Sequence, residues 1–216
     1  MGDPADVTVV IPTIPPRAET LMRRAMTSVA LQTRPPAGGV RVWLDADGEG
    51  PAVMRDRALR AGGAEEITTE WVTFLDDDDE ILPQHLEAMF RVVEAVEASG
   101  GRVQMVYPWP YTIGGTNPHE ANFGQPFQLE RPVQTTIVVM VRTGLAREIG
   151  FRAMGDLDAP GRLYGGEDWD FTQRVATWCL ERDVRPGVVH VPVRTWLWHH
   201  HGGNTSGLPR NWRQPG

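Results

Sequence analysis

The segment WVTFLDDDDEIL, residues 71–82, joins an apolar stretch directly to a run of acidic side chains. Its first part, within 70–75, is rich in β-branched and aromatic residues and predicts a buried strand. Four aspartates, Asp76 to Asp79, follow at the end of that strand. Carboxylates this close raise one another's pKa unless a cation intervenes. The run is therefore either a solvated acidic loop or part of a site that uses a cation.

Predicted strands and helices alternate on both sides of this segment. Strands are expected at 7–13, 40–46, 70–75, 102–109, 136–141 and 188–199, and helices at 19–32, 53–60, from Pro83 onward and at 167–181. This order predicts one α/β domain, 1–216, with a mostly parallel twisted sheet flanked by helices. Ligands of such sheets bind beyond the carboxyl ends of the strands. Three predicted strands have polar ends, at Pro12-Thr13, 45–47 and 76–79, which favours a site over a solvated loop.

Composition narrows the class of protein. The 216 residues are 41% hydrophobic and 23% charged, as in ordinary globular proteins. A formal charge of −7 argues against a nucleic-acid surface. The sequence has no apolar run long enough to span a membrane and no signal-peptide pattern. Its single cysteine excludes an internal disulfide. We therefore expect a cytoplasmic protein. All 21 basic residues are arginines, which excludes lysine chemistry and favours recognition of phosphate or carboxylate by guanidinium groups.

The acidic run has the chemistry of a divalent-cation site. In an extended backbone Asp76 and Asp78 face one way, while Asp77 and Asp79 face the other. Two hard oxygen ligands at a strand end suit Mg²⁺ or Mn²⁺, which takes the rest of its ligands from water and substrate phosphates. Glu80 is expected to begin the next helix.

Two later motifs each have two interpretations. In GGEDWDF, 165–171, the acids either cap a helix or supply a general base, and Trp169 is either a stacking surface or part of the core. In WLWHHHGGNTSG, 196–207, the histidines are either a surface run or a tag, or one of them, His201, completes an oxygen-rich metal site. Whether any of the histidines 199–201 ligates a metal stays open.

One further segment imitates a known metal loop. DADGEGPAVMRD, 45–56, has acidic residues at several offsets of a twelve-residue calcium loop. A predicted strand rather than a helix enters it, Pro51 follows the glycine, and Asp56 stands where the loop needs a bidentate glutamate. We do not expect calcium binding there, although a non-catalytic calcium or carbohydrate module is kept as an alternative.

Taken in order, the motifs resemble the family 2-like inverting glycosyltransferases of the GT-A fold. Six segments carry the resemblance: VTVVIPT with PPR, RRAMTSVALQTRPP, MRDRALRAG, WVTFLDDDDEILPQHLE, VVMVRTGLAREIGF with GGEDWDF, and HGGNTSG. The chain departs from the family pattern at Asp56 and Ala58. The interval between Asp45 and Arg55 is short, so the family's usual third strand is expected to be lost or abbreviated.

The resemblance implies a metal-dependent transfer of sugar from a nucleotide-diphosphate sugar to an acceptor hydroxyl, with inversion. It assigns the residues as follows: Asp168, or alternatively Glu167, as catalytic base; Asp76, Asp78 and His201 on Mn²⁺ or Mg²⁺; Pro12, Thr13, Arg17, Asp45, Arg55, Asp76 and Asp77 on the nucleotide-sugar; and Trp109, Tyr111 and Trp169 on the acceptor. Residues 110–125, which include His119, are expected to form an acceptor loop. Residues 1–80 would form the donor half, 81–207 the acceptor and catalytic half, and 208–216 a tail.

Some alternatives remain at this point. A sugar-phosphate nucleotidyltransferase would use a similar sheet, but it needs a glycine-rich phosphate loop, and IPTIPPR contains no glycine. The acceptor could be a glycan, a lipid-linked sugar, a small molecule or modified DNA. The donor sugar, its nucleotide base and the oligomeric state stay open.

Overall fold

The computed structural model describes residues 5–116, 120–122, 125–130, 137–153 and 166–200. The strands there are β1 (Val7–Thr13), β2 (Val40–Leu44), β3 (Trp71–Phe74), β4 (Glu80–Ile81), β5 (Met105–Ile113), β6 (Met140–Arg142) and β7 (Val188–His199). The helices are α1 (Ala18–Arg23), α2 (Ala25–Ala30), α3 (Pro51–Arg60), α4 (His85–Ala98), α5 (Thr143–Ile149) and α6 (Glu167–Glu181). Short 3-10 turns occur at Pro15–Arg17, Gly63–Glu65 and Glu120–Asn122.

The strands form one sheet in the order β2-β1-β3-β6-β5-β7-β4. β1 pairs in parallel with β2 and β3, and β5 pairs in parallel with β7. β6 is antiparallel to both β3 and β5, and β4 is antiparallel to β7. Strands β1, β2, β3, β5 and β7 therefore point the same way, as predicted, while the two short strands β4 and β6 make the sheet mixed.

Hydrophobic residues pack on both faces of the sheet. On one face, Leu86, Met89 and Phe90 of α4 pack with Trp71 and with Val106. The other face carries the larger cluster, to which α1, α2, α3, α5 and α6 all contribute. Val72 and Phe74 belong to this second cluster, so β3 alternates its side chains between two apolar layers.

Several predicted elements need correction. The helix expected at 19–32 is two helices, because Arg24 has φ −106° and ψ −82° and interrupts the helical geometry. Glu80 does not begin a helix; it lies in β4 opposite Leu197, and α4 begins only at His85, after Pro83. Helix α5 was not anticipated. The strand expected to be lost or abbreviated after Asp45 is absent, because α3 begins at Pro51 and 45–70 contains no strand.

Some expectations fall on parts of the chain that the structure does not describe. His201, the segment 201–207, the tail 208–216 and His119 lie outside the described residues. Within the described part of the chain, every helix is too short or too polar to cross a membrane.

Candidate active site

The strand directions bring the polar strand ends to one edge of the sheet. Because β1, β3 and β7 run the same way, Thr13, the acidic run and His199 all lie at that edge. His199 is tied directly to the run: its backbone N–H donates to Asp79 Oδ1 over 2.9 Å, and its Nε2 lies 2.9 Å from Glu80 Oε1. The sequence-predicted location of the site is thus reproduced by contacts between distant segments.

The acidic run does not alternate as an extended strand would. β3 ends at Phe74, and a turn follows in which the N–H of Asp79 donates to the carbonyl of Asp76 over 3.1 Å. The turn brings carboxylate oxygens of Asp76, Asp78 and Asp79 within 4.8 Å of one another. Asp79 therefore joins the predicted pair, and the expectation that it faces away with Asp77 is wrong, because the strand geometry has already ended.

Asp77 points elsewhere and is held firmly. It is 2% exposed, accepts a 2.6 Å hydrogen bond from Thr13 Oγ1, and lies 2.9 Å from Arg17 Nη1. These contacts join the end of β1 to the end of β3. Asp77 thus fixes the loop that carries the other three carboxylates.

Crowding and burial act on the three converging carboxylates. Burial raises the pKa of Asp76, and the nearby guanidinium of Arg55 opposes that shift. Burial also raises the pKa of Asp79 well above its ordinary value, and the charge of Asp76 adds to this increase. Three converging hard oxygen donors, two of them with raised pKa values, fit a divalent cation of the Mg²⁺ or Mn²⁺ type.

Arg55 joins the acidic run to the start of α6. It is 1% exposed, and its Nη2 donates to Asp76 Oδ1 while its Nη1 donates to Glu167 Oε1 over 3.2 Å. Its guanidinium carbon also lies 5.8 Å from the ring centre of Phe151. A buried arginine with two carboxylate partners is held in one place, so it fixes the distance between these two acidic segments.

An aromatic cluster holds α6 beside the end of β3. The rings of Phe151 and Phe171 stack with centroids 4.2 Å apart, and Phe74 meets both edge-on at 5.0 and 5.9 Å. Arg174 of α6 adds two hydrogen bonds to the carbonyls of Ile149 and Gly150, of 2.5 and 2.7 Å. The first turn of α6 is therefore placed by packing that spans three segments of the chain.

Asp168, one of the two predicted bases, lies in that first turn. Burial raises its pKa to about 7, and the charge of Glu167 adds to the increase. Its Oδ1 accepts a 2.8 Å hydrogen bond from the backbone N–H of Trp169. A Cβ on Gly166 would lie 2.6 Å from the same Oδ1, so the glycine leaves room for this carboxylate. The acidic run and the motif GGEDWDF thus meet at Arg55, which contacts Asp76 of the first and Glu167 of the second.

Asp45 has a different environment from the acidic run. Its two carboxylate oxygens accept hydrogen bonds from the backbone N–H groups of Glu49 and Gly50, at 2.9 and 2.7 Å. Burial would raise the pKa of Asp45, but these backbone donors outweigh it and lower the pKa. Glu49 pairs with Arg57. The loop that imitates a calcium site therefore uses these acids to close itself.

The three predicted acceptor residues have different exposures. Tyr111 is 49% exposed, Trp169 is partly buried, and Trp109 is 2% exposed and offers no ring face to a ligand. Beside Tyr111 lies Arg194, whose guanidinium carbon is 5.6 Å from the ring centre and which pairs with Glu120. Arg194 was not among the predicted site residues, because the alternating segment VPVRTWLW indicates a strand and does not distinguish this arginine from any other polar strand residue.

A sequence profile of glycosyl transferase family 2 matches residues 38–154, which is more than half of the chain. The chain belongs to glycosyl transferase family 2. The match includes Asp45, Arg55 and the acidic run. Arg17 and Asp168 lie outside it, so their placement in this family 2 chain rests on the contacts described above. No curated protein matches the sequence.

Solved structures support the same fold. TarS 1–349 of S. aureus matches with a TM-score of 0.61 and 15% identity over 89% of this chain and 60% of its own. Its complex with UDP-GlcNAc matches with a TM-score of 0.62 and 14% identity, over 94% of this chain and 61% of its own. Its complex with UDP matches with a TM-score of 0.62 and 15% identity, over 90% of this chain and 60% of its own. This family 2 chain therefore spans about 60% of the length of these structures, and the likeness shows a shared GT-A fold.

Proposed function

We propose that this family 2 chain transfers a sugar from a nucleotide-diphosphate sugar to an acceptor hydroxyl in a single displacement that inverts the anomeric carbon. The observation that supports this best is the pairing around Arg55. One side of the guanidinium contacts Asp76 in a group of converging carboxylates, and the other contacts Glu167, the neighbour of Asp168. A diphosphate-binding group and a base are the two parts that such a displacement needs.

Asp168 is the proposed general base. Because its pKa is raised to about 7, the carboxylate is basic enough to accept a proton near neutral pH and is still largely ionised slightly above it. In the proposed reaction it takes the proton of the acceptor hydroxyl, whose oxygen bonds to the anomeric carbon as the bond to the diphosphate breaks. Glu167, the alternative base, already accepts a hydrogen bond from Arg55, which favours a positioning role for it.

Asp76, Asp78 and Asp79 are the proposed holders of Mn²⁺ or Mg²⁺. When bound, the cation would supply positive charge to the departing diphosphate. His201 remains a proposed fourth ligand. The chain's own part is to hold the three carboxylates together through the turn after β3 and the hydrogen bond from His199 to Asp79.

The remaining donor contacts are proposed along the strand ends of residues 1–80. Thr13 and Arg17 flank the acidic run through Asp77, and Pro12 is buried just before them. Asp45 and Arg55 stay proposed nucleotide-side residues. Both residues also have structural contacts: Asp45 accepts backbone N–H groups of its own loop, and Arg55 bridges Asp76 and Glu167.

The acceptor is proposed to approach from the side of residues 81–207. Tyr111 pairs across the sheet with Leu197, which in turn pairs with Glu80, so Tyr111 is two strands away from the end of the acidic run. An exposed ring beside a guanidinium is a common surface for stacking a sugar. Trp169, next to Asp168, is the second proposed contact. A glycan or other sugar-bearing acceptor fits these residues better than DNA.

The direct test is titration with a panel of nucleotide-sugars and nucleoside diphosphates, with Mn²⁺ and with EDTA. We expect metal-dependent binding of at least one nucleoside diphosphate. With an acceptor, we expect release of that diphosphate and, by NMR, a product whose anomeric configuration is opposite to that of the donor. Absence of nucleoside diphosphate binding in the presence of Mn²⁺ would overturn the proposal, and a product with the donor's configuration would overturn inversion.

A further inference from the structure

Two arginines form ion pairs with carboxylates of the acidic run, and they differ in how firmly they are held. Arg55 is 1% exposed and is held between Asp76 and Glu167. Arg17 has a side chain that is 32% exposed, on the short turn Pro15–Arg17 that follows β1. A single nitrogen of Arg17, Nη1, lies 2.9 Å from Asp77 Oδ1 and 3.1 Å from Asp78 Oδ2.

The contact with Asp78 has a consequence for metal binding. Asp78 is one of the three converging carboxylates, so a cationic group already pairs with a carboxylate that a divalent cation would use. Two cations that share one carboxylate oppose each other's binding. A metal ion that binds alone must therefore displace or repel Arg17.

We propose that Arg17 is an exchangeable counter-ion: it pairs with Asp78 before the donor binds, and it moves to the donor's diphosphate when the metal takes Asp78. This inference rests on the proposed function. Its consequence is that metal and diphosphate bind cooperatively, because each removes an unfavourable contact of the other. Neither ligand alone would bind as well as the two together.

The structure allows Arg17 to move without disrupting the loop. Asp77 keeps its 2.6 Å hydrogen bond from Thr13 Oγ1 when Nη1 leaves. A guanidinium has five N–H donors in a planar fork, so Arg17 can turn toward a phosphate while part of the group stays near Asp77. Arg24 supports the same loop independently, through a 3.0 Å hydrogen bond from Nη1 to the carbonyl of Asp78.

The chemistry of the chain also favours a diphosphate as the second partner of Arg17. The sequence contains no lysine, so a cationic side chain that contacts the donor's phosphates must be an arginine or a protonated histidine. Arg55 is buried between two carboxylates and Arg24 contacts a backbone carbonyl of the run, whereas Arg17 combines solvent exposure with contact to a carboxylate of the metal-binding group. Guanidinium–phosphate pairs are strong and directional.

The test is isothermal titration of Mn²⁺ alone, and of a nucleoside diphosphate with and without Mn²⁺. The diphosphate is whichever of UDP, GDP, CDP and ADP the unaltered chain binds best. The variants are Arg17→Gln, Arg17→Met, which keeps a long apolar stem, and Arg17→Lys. Arg23→Gln is the matched control, because Arg23 is 77% exposed and pairs only locally with Glu19 in α1.

In Arg17→Gln and Arg17→Met, we expect Mn²⁺ alone to bind about fivefold more tightly and the diphosphate with Mn²⁺ about tenfold more weakly. Arg17→Lys should lie between these variants and the unaltered chain, and Arg23→Gln should match the unaltered chain. If the unaltered chain binds both ligands but loss of Arg17 weakens Mn²⁺ binding or leaves it unchanged, the exchange is wrong and the proposed function stands. If the unaltered chain binds neither ligand, both proposals are wrong.

Discussion

Two acidic segments follow parallel strands in this protein, and their carboxylates are used in opposite ways. After β2, the oxygens of Asp45 accept backbone N–H groups of their own loop, which lowers the pKa of this residue. After β3, the carboxylates of Asp76 and Asp79 face each other and the pKa of each is raised, with burial as the main cause. The carboxylate of Asp45 is thus satisfied within its own loop, whereas the loop after β3 brings oxygens of Asp76, Asp78 and Asp79 within 4.8 Å of one another.

The comparison shows that acidic composition alone does not mark a functional site. What distinguishes the two segments is whether local N–H donors satisfy the carboxylates. The same criterion extends to α6, where one carboxylate oxygen of Asp168 accepts the backbone N–H of Trp169 and burial still raises the pKa of Asp168 to about 7. The following predictions test this difference, beginning with the largest expected effect.

The largest effect is expected from Asp168→Asn, which removes the proposed base but keeps the size of the side chain. We expect kcat to fall by about a thousandfold, since general-base catalysis contributes about 10²–10⁴. Binding of the nucleoside diphosphate with Mn²⁺ should stay within about twofold. Steady-state kinetics and titration measure the two quantities.

Asp183→Asn is the control for that variant, because Asp183 is 80% exposed and pairs with Arg185 away from the site. It should leave both kcat and binding unchanged. Transfer that persists in Asp168→Asn would move the base to Glu167 or to another residue.

A smaller effect is expected from pH. The pKa of Asp168 is raised to about 7, and only the ionised carboxylate accepts a proton, so kcat should rise with pH. Between pH 5.5 and 8.5 we expect an increase of about thirtyfold that levels off above pH 8. A profile that is flat over this interval would show that the titration of Asp168 does not limit the reaction.

The raised pKa of Asp168 also makes the stability of the folded protein depend on pH. The folded-state pKa lies above the ordinary value, so the folded protein favours the protonated form of Asp168. Its favourable contribution is complete below about pH 4 and is lost as pH rises through about 7. The free energy of unfolding of Asp168→Asn minus that of the unaltered chain should therefore be more positive at pH 8 than at pH 5. Chemical denaturation at the two pH values measures this difference.

A still smaller loss is expected from Gly166→Ala. The added Cβ would lie 2.6 Å from Asp168 Oδ1, and the carboxylate would have to move. We expect kcat to fall by about tenfold with unchanged diphosphate binding, because displacement of a catalytic group by less than 1 Å is costly. Gly144→Ala is the control, since nothing lies within 4 Å of a Cβ at that position. Equal kcat values for the two variants would contradict the proposed position of the base.

The sequence predicted much of the fold because apolar and polar residues alternate clearly along it. β1, β7 and α6 have the expected bounds, since β-branched residues or helical apolar spacing define them. β4 was missed because Glu80 and Ile81 are too short a pair to show a pattern, and their pairing with β7 is a tertiary contact. The break at Arg24 was missed because nothing in RRAMTSVALQ opposes a continuous helix.

The candidate site was predicted by residue type more successfully than by geometry. Asp76 and Asp78 could be proposed from their spacing, but Asp79 joined them only through the turn after Phe74. The bridge from Arg55 to Glu167 links residues that are 112 positions apart, which spacing cannot show. The burial of Trp109 is likewise set by the surrounding sheet, because an apolar strand reads the same whether its aromatic residues are covered or exposed.

The last of these predictions concerns stability, at the loop after β2 that Asp45 closes. Asp45→Asn keeps one acceptor oxygen and replaces the other with a donor that faces a backbone N–H. We expect the free energy of unfolding to fall by about 1.5–3 kcal/mol, the usual size for loss of a hydrogen bond to a charged group. Asp47→Asn, an exposed change in the same loop, should have no measurable effect in the same denaturant titration. Equal stabilities would mean that the two backbone contacts of Asp45 do not hold the loop.

The most direct test of the difference between the two acidic segments is titration of Mn²⁺ and a nucleoside diphosphate into Asp78→Asn and Asp45→Asn side by side. The converging carboxylates should hold the metal, so Asp78→Asn should weaken metal-dependent diphosphate binding by about a hundredfold, the upper end for loss of a metal-site contact. Asp45→Asn should leave the metal affinity within about threefold. Equal losses of Mn²⁺ affinity in both variants, or a loss of Mn²⁺ affinity only in Asp45→Asn, would contradict the assignment of the metal to the acidic run.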